Sequence, residues 1–252
     1  MQIQKNETTS KKLRRRSILS FLTLILGFCA LSLAFHEIRI GGDVDEAHHV
    51  LRDAFRFNET LWHNLFSPKR LSVAKRSPPP GTPPRKNGDI GMTDALDLQA
   101  YEVVIDNNGK EMSLPISAFT SLAKTGYTTD FRCIEGWSEV IQYAGLRFSE
   151  FMKAYEVGKK PDGAYYKYVG FETPDEEYYV SIDIDSMLQP QTVLAYEMNQ
   201  APLSVADGAP IRLIIPIKYG IKNIKRIGRI SFSDTRQPDY WAERGYDWFS
   251  AL

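Results

Sequence analysis

The sequence predicts a mixed, β-rich α+β fold preceded by one apolar N-terminal helix. Three observations predict it. Beyond Gly158 the chain is dominated by β-rich runs, at Tyr165–Glu172, Tyr178–Ile184, Val193–Met198, Arg212–Ile217 and Ile224–Phe232. These runs do not alternate regularly with helical stripes, which argues against a doubly wound sheet. Near the N-terminus, Ile18–Phe35 is a stretch of eighteen uncharged residues, ILSFLTLILGFCALSLAF.

As a helix that stretch spans about 27 Å, enough to cross a bilayer. It follows a basic tail over residues 1–17, in which Lys5, Lys11, Lys12, Arg14, Arg15 and Arg16 face only Glu7. Positive charge on this flank keeps it in the cytoplasm and places the rest of the chain outside. Residues 18–35 are therefore expected to be a transmembrane anchor. A cleaved export signal is the alternative, since Ser32 and Ala34 are small and Arg15-Arg16 resembles a twin-arginine signal.

Over residues 43–66, Val50, Leu51, Ala54, Phe55, Leu61 and Leu65 recur at helical spacing, with Asp43 and Glu46 as a capping pair. The expectation is an amphipathic helix. His48 and His49 are adjacent and point to different faces, so they read as solvated residues rather than metal ligands. Residues 67–86 hold six prolines between Pro68 and Pro84 and predict an extended arm. The compact domain is expected over 87–252. Tyr101–Ile105 and Met112–Ile116 read as a hairpin turning at Asn108-Gly109. Ser117–Lys124 reads as a short helix, and TTDFRCIE as the strand that delivers Cys133. Phe148, Phe151, Met152 and Tyr155 form a helical stripe of core residues.

Charge and motifs exclude several function classes. The net charge is zero, but six of the 31 basic residues lie in the first sixteen positions, leaving a mildly acidic body with 25 basic and 30 acidic residues. Non-specific nucleic-acid binding does not fit such a body. There is no GxGxxG after a strand, no GxxxxGK[ST] and no CxxCH. All four histidines (His36, His48, His49, His63) precede the domain, so cysteine–histidine hydrolysis, HExxH metalloproteolysis and zinc held by several protein ligands are poor fits.

Two segments remain as candidates for chemistry. Cys133 has no partner for a disulfide, because Cys29 lies inside the apolar segment. Three readings stay open for it: an inert core residue, a reactive redox thiol, or one thiolate of a metal centre completed by an external chelator. The segment DGAPIRLIIPIKYGIKNIKRIGRI places Lys218, Lys222, Lys225 and Arg226 around Tyr219, Gly220 and Asn223. That pattern suits a phosphate or other anion, and it equally suits a solvated basic sheet edge. Arg212 opens an apolar strand and needs a partner there.

FRCIEGWSEVIQYAG, YVGFET, QTVLAYEMNQAPLSVADGAPIRLIIPIKYGIKNIKRI and PDYWAERGY, taken together, resemble the molybdopterin-binding oxidoreductase domain of the sulfite oxidase superfamily. Within it the similarity is greatest to the catalytic subunit of bacterial periplasmic methionine sulfoxide reductase. The resemblance runs from about Asn87 to Tyr246. It implies a sulfite-oxidase-type fold and a Mo-molybdopterin cofactor, with Cys133 as molybdenum ligand. Two pterin dithiolene sulfurs would join that thiolate, so no histidine is needed.

By the same resemblance Asn87, Thr173, Asp207, Arg212, Asn223, Ile224 and Lys225 correspond to pterin-contact positions. Asp207 departs from the family, which has asparagine there, and an aspartate cannot donate an amide hydrogen bond. If the TTDFRCIE strand continues, Cys133, Glu135 and Trp137 share one face, and Glu135 is expected to act on the cavity near the metal. The implied function is oxygen-atom transfer, with reduction of a sulfoxide or N-oxide as the favoured direction. A sulfite-oxidising dehydrogenase, a non-catalytic module and a thiol enzyme are the alternatives. With no haem motif, electrons would come from a membrane cytochrome or quinol-linked partner. The remaining expectations are a monomeric catalytic domain on the periplasmic side of the inner membrane, or a soluble periplasmic one after cleavage.

Overall fold

The computed structural model describes residues 2–65, 71–72, 74, 78, 84–86, 88–92 and 97–251. Asn87 and most of the proline-rich arm lie outside the described residues. The chain divides into two compact units, one ending at Ala54 and the other beginning at Phe55.

The first unit opens with α1 (Gln2–Ile40), whose Arg14–Ile40 portion is long and apolar enough to cross a membrane, with a mean hydropathy of 2.4 in its most apolar window. None of that window is buried against protein. Two short strands follow, β1 (Asp43–Val44) and β2 (Ala47–His48), paired as a hairpin. α2 (His49–Leu65) begins there and continues past Ala54. The helix expected from Asp43 thus starts six residues later. Asp45 and Glu46 take left-handed φ values of 48° and 57° at the hairpin turn, and the Arg52 side chain donates to Val44 O at 2.9 Å. That turn removes the expected Asp43–Glu46 cap.

The second unit is built from two five-stranded sheets. Its elements are, in order, β3 (Glu102–Asp106), β4 (Glu111–Pro115), α3 (Ile116–Thr120), β5 (Lys124–Arg132), β6 (Ser138–Arg147), α4 (Phe148–Ala154), β7 (Tyr168–Glu172), β8 (Tyr179–Asp183), α5 (Ile184–Met187), β9 (Val193–Met198), β10 (Ala201–Pro202), β11 (Arg212–Ile214) and β12 (Arg229–Ser233). One sheet runs β4-β3-β12-β7-β8, with β3 and β12 parallel and the other pairs antiparallel. The other runs β10-β9-β6-β5, with β11 also paired to β9. Strand-rich architecture with few, short helices is the α+β class that the pattern predicts.

The expected hairpin forms at Asn108 (φ 55°) and Gly109 (φ 90°), a pair of left-handed residues that matches the strand twist. α4 buries Phe148, Phe151 and Met152, and Tyr155 packs against the same cluster with Phe171, Phe232 and Leu146. β6 and β9 approach so closely that a Cβ on Gly145 would lie 2.0 Å from Leu194 O, where β6 carries a bulge. A second apolar cluster, including Ile141, Tyr143, Val193, Ala195 and Ile214, backs the sheet that carries β5 and β6.

The basic run after β11 is not a solvated edge. The strand expected over Ile224–Phe232 begins only at Arg229, and a 3₁₀ turn occupies Gly220–Lys222. Lys218, Lys222 and Arg226 are buried. Lys218 Nζ lies 3.2 Å from Asp183 and donates to Phe249 O at 2.7 Å, while Lys222 pairs with Asp239. Such ions tolerate burial because partners replace the lost water. Burial pushes Lys218 down to about 8 against the pull of Asp183. Burial also opposes the charge of Asp183, but Lys218 and the Ser186 donors outweigh it and hold that carboxyl below its usual range.

Candidate cofactor cavity

The second unit contains a cleft, open to solvent, whose wall is assembled from seven parts of the chain. They are residues 84–86 with 88 and 90, the end of β5 with the turn after it, β6, Tyr178 just before β8, Met198 at the end of β9, β11 with the loops on either side of it, and the loop that carries Trp241 and Tyr246.

Cys133 comes at the end of β5 rather than within it. The strand stops at Arg132, and the chain reverses, with Gly136 N donating to Cys133 O at 3.1 Å and Cys133 N to Trp137 O at 2.9 Å. Gly136 takes φ 89°, which a tight reversal requires. The shared strand face expected for Cys133, Glu135 and Trp137 therefore does not exist. All three nonetheless line the cavity, because the turn rather than the pleat gathers them. Cys133 is 7% exposed. Trp137 Nε1 donates to Glu135 Oε2 at 3.1 Å, and the Arg85 guanidinium lies 4.8 Å from the Trp137 ring centre.

The cationic part of the wall comes from Arg212, Lys225, Arg85 and Lys86, with Asp207 and Glu135 as its acids. Arg212 is 5% exposed and is held by its terminal nitrogens, which donate to Asp207 O at 2.9 Å and Asn223 O at 3.3 Å. Its Nε is buried and makes no hydrogen bond among the described residues. A buried guanidinium N–H in that state costs free energy until an acceptor arrives. Lys225 donates to Gly88 O at 2.9 Å, and burial followed by repulsion from Arg212 pushes it down to about 8. An anion in the cleft would raise it again by coulombic attraction.

Asn223 lines the cavity but spends its side chain on the fold. Its Oδ1 accepts from Ile215 N at 2.6 Å, and its Nδ2 donates to Tyr219 O at 2.9 Å, which shapes the loop that presents Lys225. Asp207 lines the cavity too, accepting from the Ser204 hydroxyl and lying 3.8 Å from Lys86 Nζ.

Thr173 and Ile224 lie outside the cavity wall. The Thr173 hydroxyl donates to Asp175 at 2.5 Å and accepts from Tyr178 N at 3.1 Å. Its methyl and hydroxyl sit beneath Gly91, where a Cβ would come within 2.5 Å, so Thr173 supports the 88–92 stretch from behind. Ile224 joins the main core, and its carbonyl accepts from Leu213 N at 3.0 Å. Lys218, Lys222 and Arg226, proposed from spacing to meet an anion, are likewise absent from the wall. Asn87 lies outside the described residues, between Lys86 and Gly88, which both line the cavity.

Several wall residues had no sequence signal of their own. Arg85 and Lys86 end a stretch read as a surface arm, yet Arg85 N donates to Glu139 Oε2 at 2.8 Å and the two side chains join the wall. Tyr178, Trp241 and Tyr246 form an aromatic side, with the Trp241 and Tyr246 ring centres 5.0 Å apart. The Tyr178 hydroxyl donates to Ile221 O at 2.6 Å, and burial pushes its own ionisation far above the usual range. PDYWAERGY, one of the quoted motifs, was the available pointer to two of these.

A buried thiol, a cationic end with an unsatisfied guanidinium N–H, and an aromatic flank make a donor set that fits a group carrying both soft sulfurs and a phosphate. Comparison with known proteins agrees. Residues 90–241 match the family model described as the oxidoreductase molybdopterin binding domain. The chain is 28% identical over 240 residues to a putative protein-methionine-sulfoxide reductase subunit, YedZ1, of Azospira oryzae, covering 94% of this chain and 85% of that protein. It is 35% identical over 124 residues to the protein-methionine-sulfoxide reductase catalytic subunit MsrP of Xanthomonas axonopodis, covering 44% of this chain and 37% of that one. Mitochondrial sulfite oxidase of Drosophila melanogaster is 30% identical over 181 residues, covering 62% of this chain and 31% of the fly protein. The chain thus spans well under half the length of those last two relatives. Among solved structures, the sulfane dehydrogenase SoxCD from Paracoccus pantotrophus superposes with a TM-score of 0.50 at 20% identity, over 57% of this chain and 41% of that one, a likeness of fold.

Proposed function

The chain belongs to the family of molybdopterin-binding oxidoreductase domains, and from that premise we propose that it reduces a sulfoxide-type substrate with Cys133 as the protein ligand to molybdenum. The observation that carries this reading is the placement of Cys133, buried at 7% exposure, in one cavity with Arg212 and Lys225. Bound there, the molybdenum cofactor supplies a metal that changes oxidation state as an oxygen atom is transferred. Everything else falls to the chain's own side chains.

Arg212 and Lys225 hold the anionic end. Arg212 is clamped by two backbone carbonyls, so its guanidinium is fixed in the wall before any ligand arrives. Asn223 fixes the loop between them. Gly88 O anchors Lys225, and Thr173 supports the same stretch through Gly91. Trp137 orients the Glu135 carboxylate through its indole N–H, which places a proton-accepting oxygen on the cavity wall. Tyr178, Trp241 and Tyr246 supply an aromatic side against which the carbon and sulfur of a sulfoxide would pack.

Reduction rather than oxidation is proposed on the similarity to proteins named as methionine sulfoxide reductases. Electrons would be delivered by a membrane cytochrome or a quinol-linked partner. The apolar span Arg14–Ile40 is proposed as an inner-membrane anchor for a periplasmic domain over 87–252. The test is elemental analysis of the full chain expressed with a working pterin pathway, paired with sulfoxide-dependent oxidation of a reduced dye. Wild-type protein is expected to hold about one molybdenum per chain, and Cys133→Ser to keep its circular dichroism while losing sulfoxide reduction and the thiolate-to-metal absorption of the wild type. Folded wild-type protein without molybdenum, or a metal-loaded Cys133→Ser variant with unchanged absorption and activity, overturns the assignment.

A further inference from the structure

α2 carries an apolar stripe that the domain does not cover. Within the second unit Phe57 is 67% exposed, Leu61 41%, Trp62 49% and Leu65 64%. At 100° per residue these four fall on one face, broken only by Asn58. Exposed aromatic and aliphatic residues in such a contiguous stripe, rather than scattered singly, mark a surface that meets something apolar.

The orientation of that stripe is fixed from behind. Glu59, on the opposite edge of the helix, pairs with Arg236. Arg236 is itself anchored, with its guanidinium 3.6 Å from the Trp248 ring centre and 5.6 Å from that of Tyr168. The helix therefore holds the body of the unit through its polar edge and turns its apolar edge outward, the reverse of what a surface helix does when its only partner is its own core.

The chain itself says what covers the stripe. α1 ends at Ile40 after a span long and apolar enough to cross a membrane, and only residues 41–48 separate it from α2. Eight residues reach at most about 29 Å even fully extended, so α2 starts close to whatever surface α1 enters. Its charges balance, Arg52 and Arg56 against Asp53 and Glu59, which removes any dependence on anionic headgroups. Trp and Phe on such a face suit the boundary between headgroups and acyl chains, where an amphipathic ring is comfortable and an occasional amide such as Asn58 is hydrated.

We propose that the Phe57–Leu61–Trp62–Leu65 stripe lies in the lipid interface of the membrane that α1 enters. Through Glu59 and Arg236 this contact fixes one orientation of the domain against the bilayer. The proposal rests on the reading of α1 as a membrane anchor and does not depend on the chemistry of the cavity.

The full chain, reconstituted in phosphatidylcholine liposomes made with acyl-brominated lipid, tests it. Bromine quenches an indole only at close range, so tryptophan emission should fall relative to unbrominated lipid, and Trp62→Phe should abolish most of that fall. Leu61→Gln with Leu65→Gln should reduce the quenching of Trp62, and raising salt should leave it unchanged. Equal quenching in wild type and Trp62→Phe overturns the proposal. So does an unquenched Trp62 with the chain retained in the bilayer, the result expected if the stripe instead docks a partner protein. Quenching that requires anionic lipid and is lost with salt also overturns it, because charge rather than apolar burial would then hold the helix.

Discussion

Replacing Lys222 by methionine should destabilise the domain by about 3 kcal/mol, and the structure says why the figure is neither larger nor smaller. The side chains of Lys222 and Asp239 are 2% and 3% exposed, so neither charge reaches water. Removing one member of such a pair typically costs about 3–5 kcal/mol, because the other is left as an uncompensated buried charge. Asp239 would keep two backbone donors, Ser181 N at 3.0 Å and Ala242 N at 3.1 Å. Those bonds support the carboxylate and hold the cost to the lower end of the range.

The pair also joins two parts of the cavity wall, since Lys222 follows Gly220 and Ile221 while Asp239 precedes Trp241 and Tyr246. Urea unfolding followed by tryptophan emission is the assay. The double change Lys222→Met with Asp239→Asn removes both charges, and should fall short of the summed single effects by about 1–3 kcal/mol. A Lys222→Met protein within about 1 kcal/mol of wild type, or strictly additive singles, would refute the claim that the pair rather than general packing fastens these loops.

Three further outcomes follow from the same geometry. Pyrophosphate should bind the cofactor-free protein most tightly while Lys225 is protonated. Its affinity, read by calorimetry, should therefore hold below about pH 8 and decline as the pH rises through that value; Lys225→Met should weaken binding and flatten the profile, and a profile unchanged in that variant would contradict the assignment. Gly145→Ala should cost about 1–3 kcal/mol or more, since its Cβ meets the Leu194 backbone at 2.0 Å, and thermal unfolding of the variant checks it. Asp207→Asn should tighten pyrophosphate binding severalfold by removing a negative charge from the wall, and no change would show that the Ser204 and Lys86 contacts already neutralise it.

What could be read from the sequence depended on whether its signal was local. Alternation found β9 at its observed bounds and placed the β3–β4 pair around Asn108-Gly109, because strand pleat and turn chemistry are short-range properties. The stripe Phe148, Phe151, Met152 and Tyr155 proved to be core for the same reason. α2 was read too long at its start, since a hairpin at Asp45 and Glu46 leaves the helical spacing of later residues untouched. The joining of β3 to β12 in one sheet, across more than a hundred residues, has no local trace at all.

The cavity shows the limit more sharply. In KYGIKNIKR the cations meet two fates within nine positions. Lys218, Lys222 and Arg226 turn into the protein, and Lys225 turns to the cleft. A 3.6-residue period does not sort them that way, and the 2-residue period that would is the period of a strand, which this segment does not form before Arg229. The sorting is done by the 3₁₀ turn at Gly220–Lys222, by Asn223 bonding backbone on both sides, and by Arg226 at φ 55°. Spacing could say that anion-binding charge was present but not which charges were already spent on Asp183 and Asp239. The absence of histidine is the opposite case, a global property visible in the sequence and decisive for the site. With no imidazole after His63 and no group of three or more His, Cys, Asp or Glu placed to hold a metal among the described residues, a metal here would draw most of its ligands from outside the chain. The protein's hold on the group must then rest on what grips its anionic end, and that is the part of the wall where Arg212 and Lys225 meet.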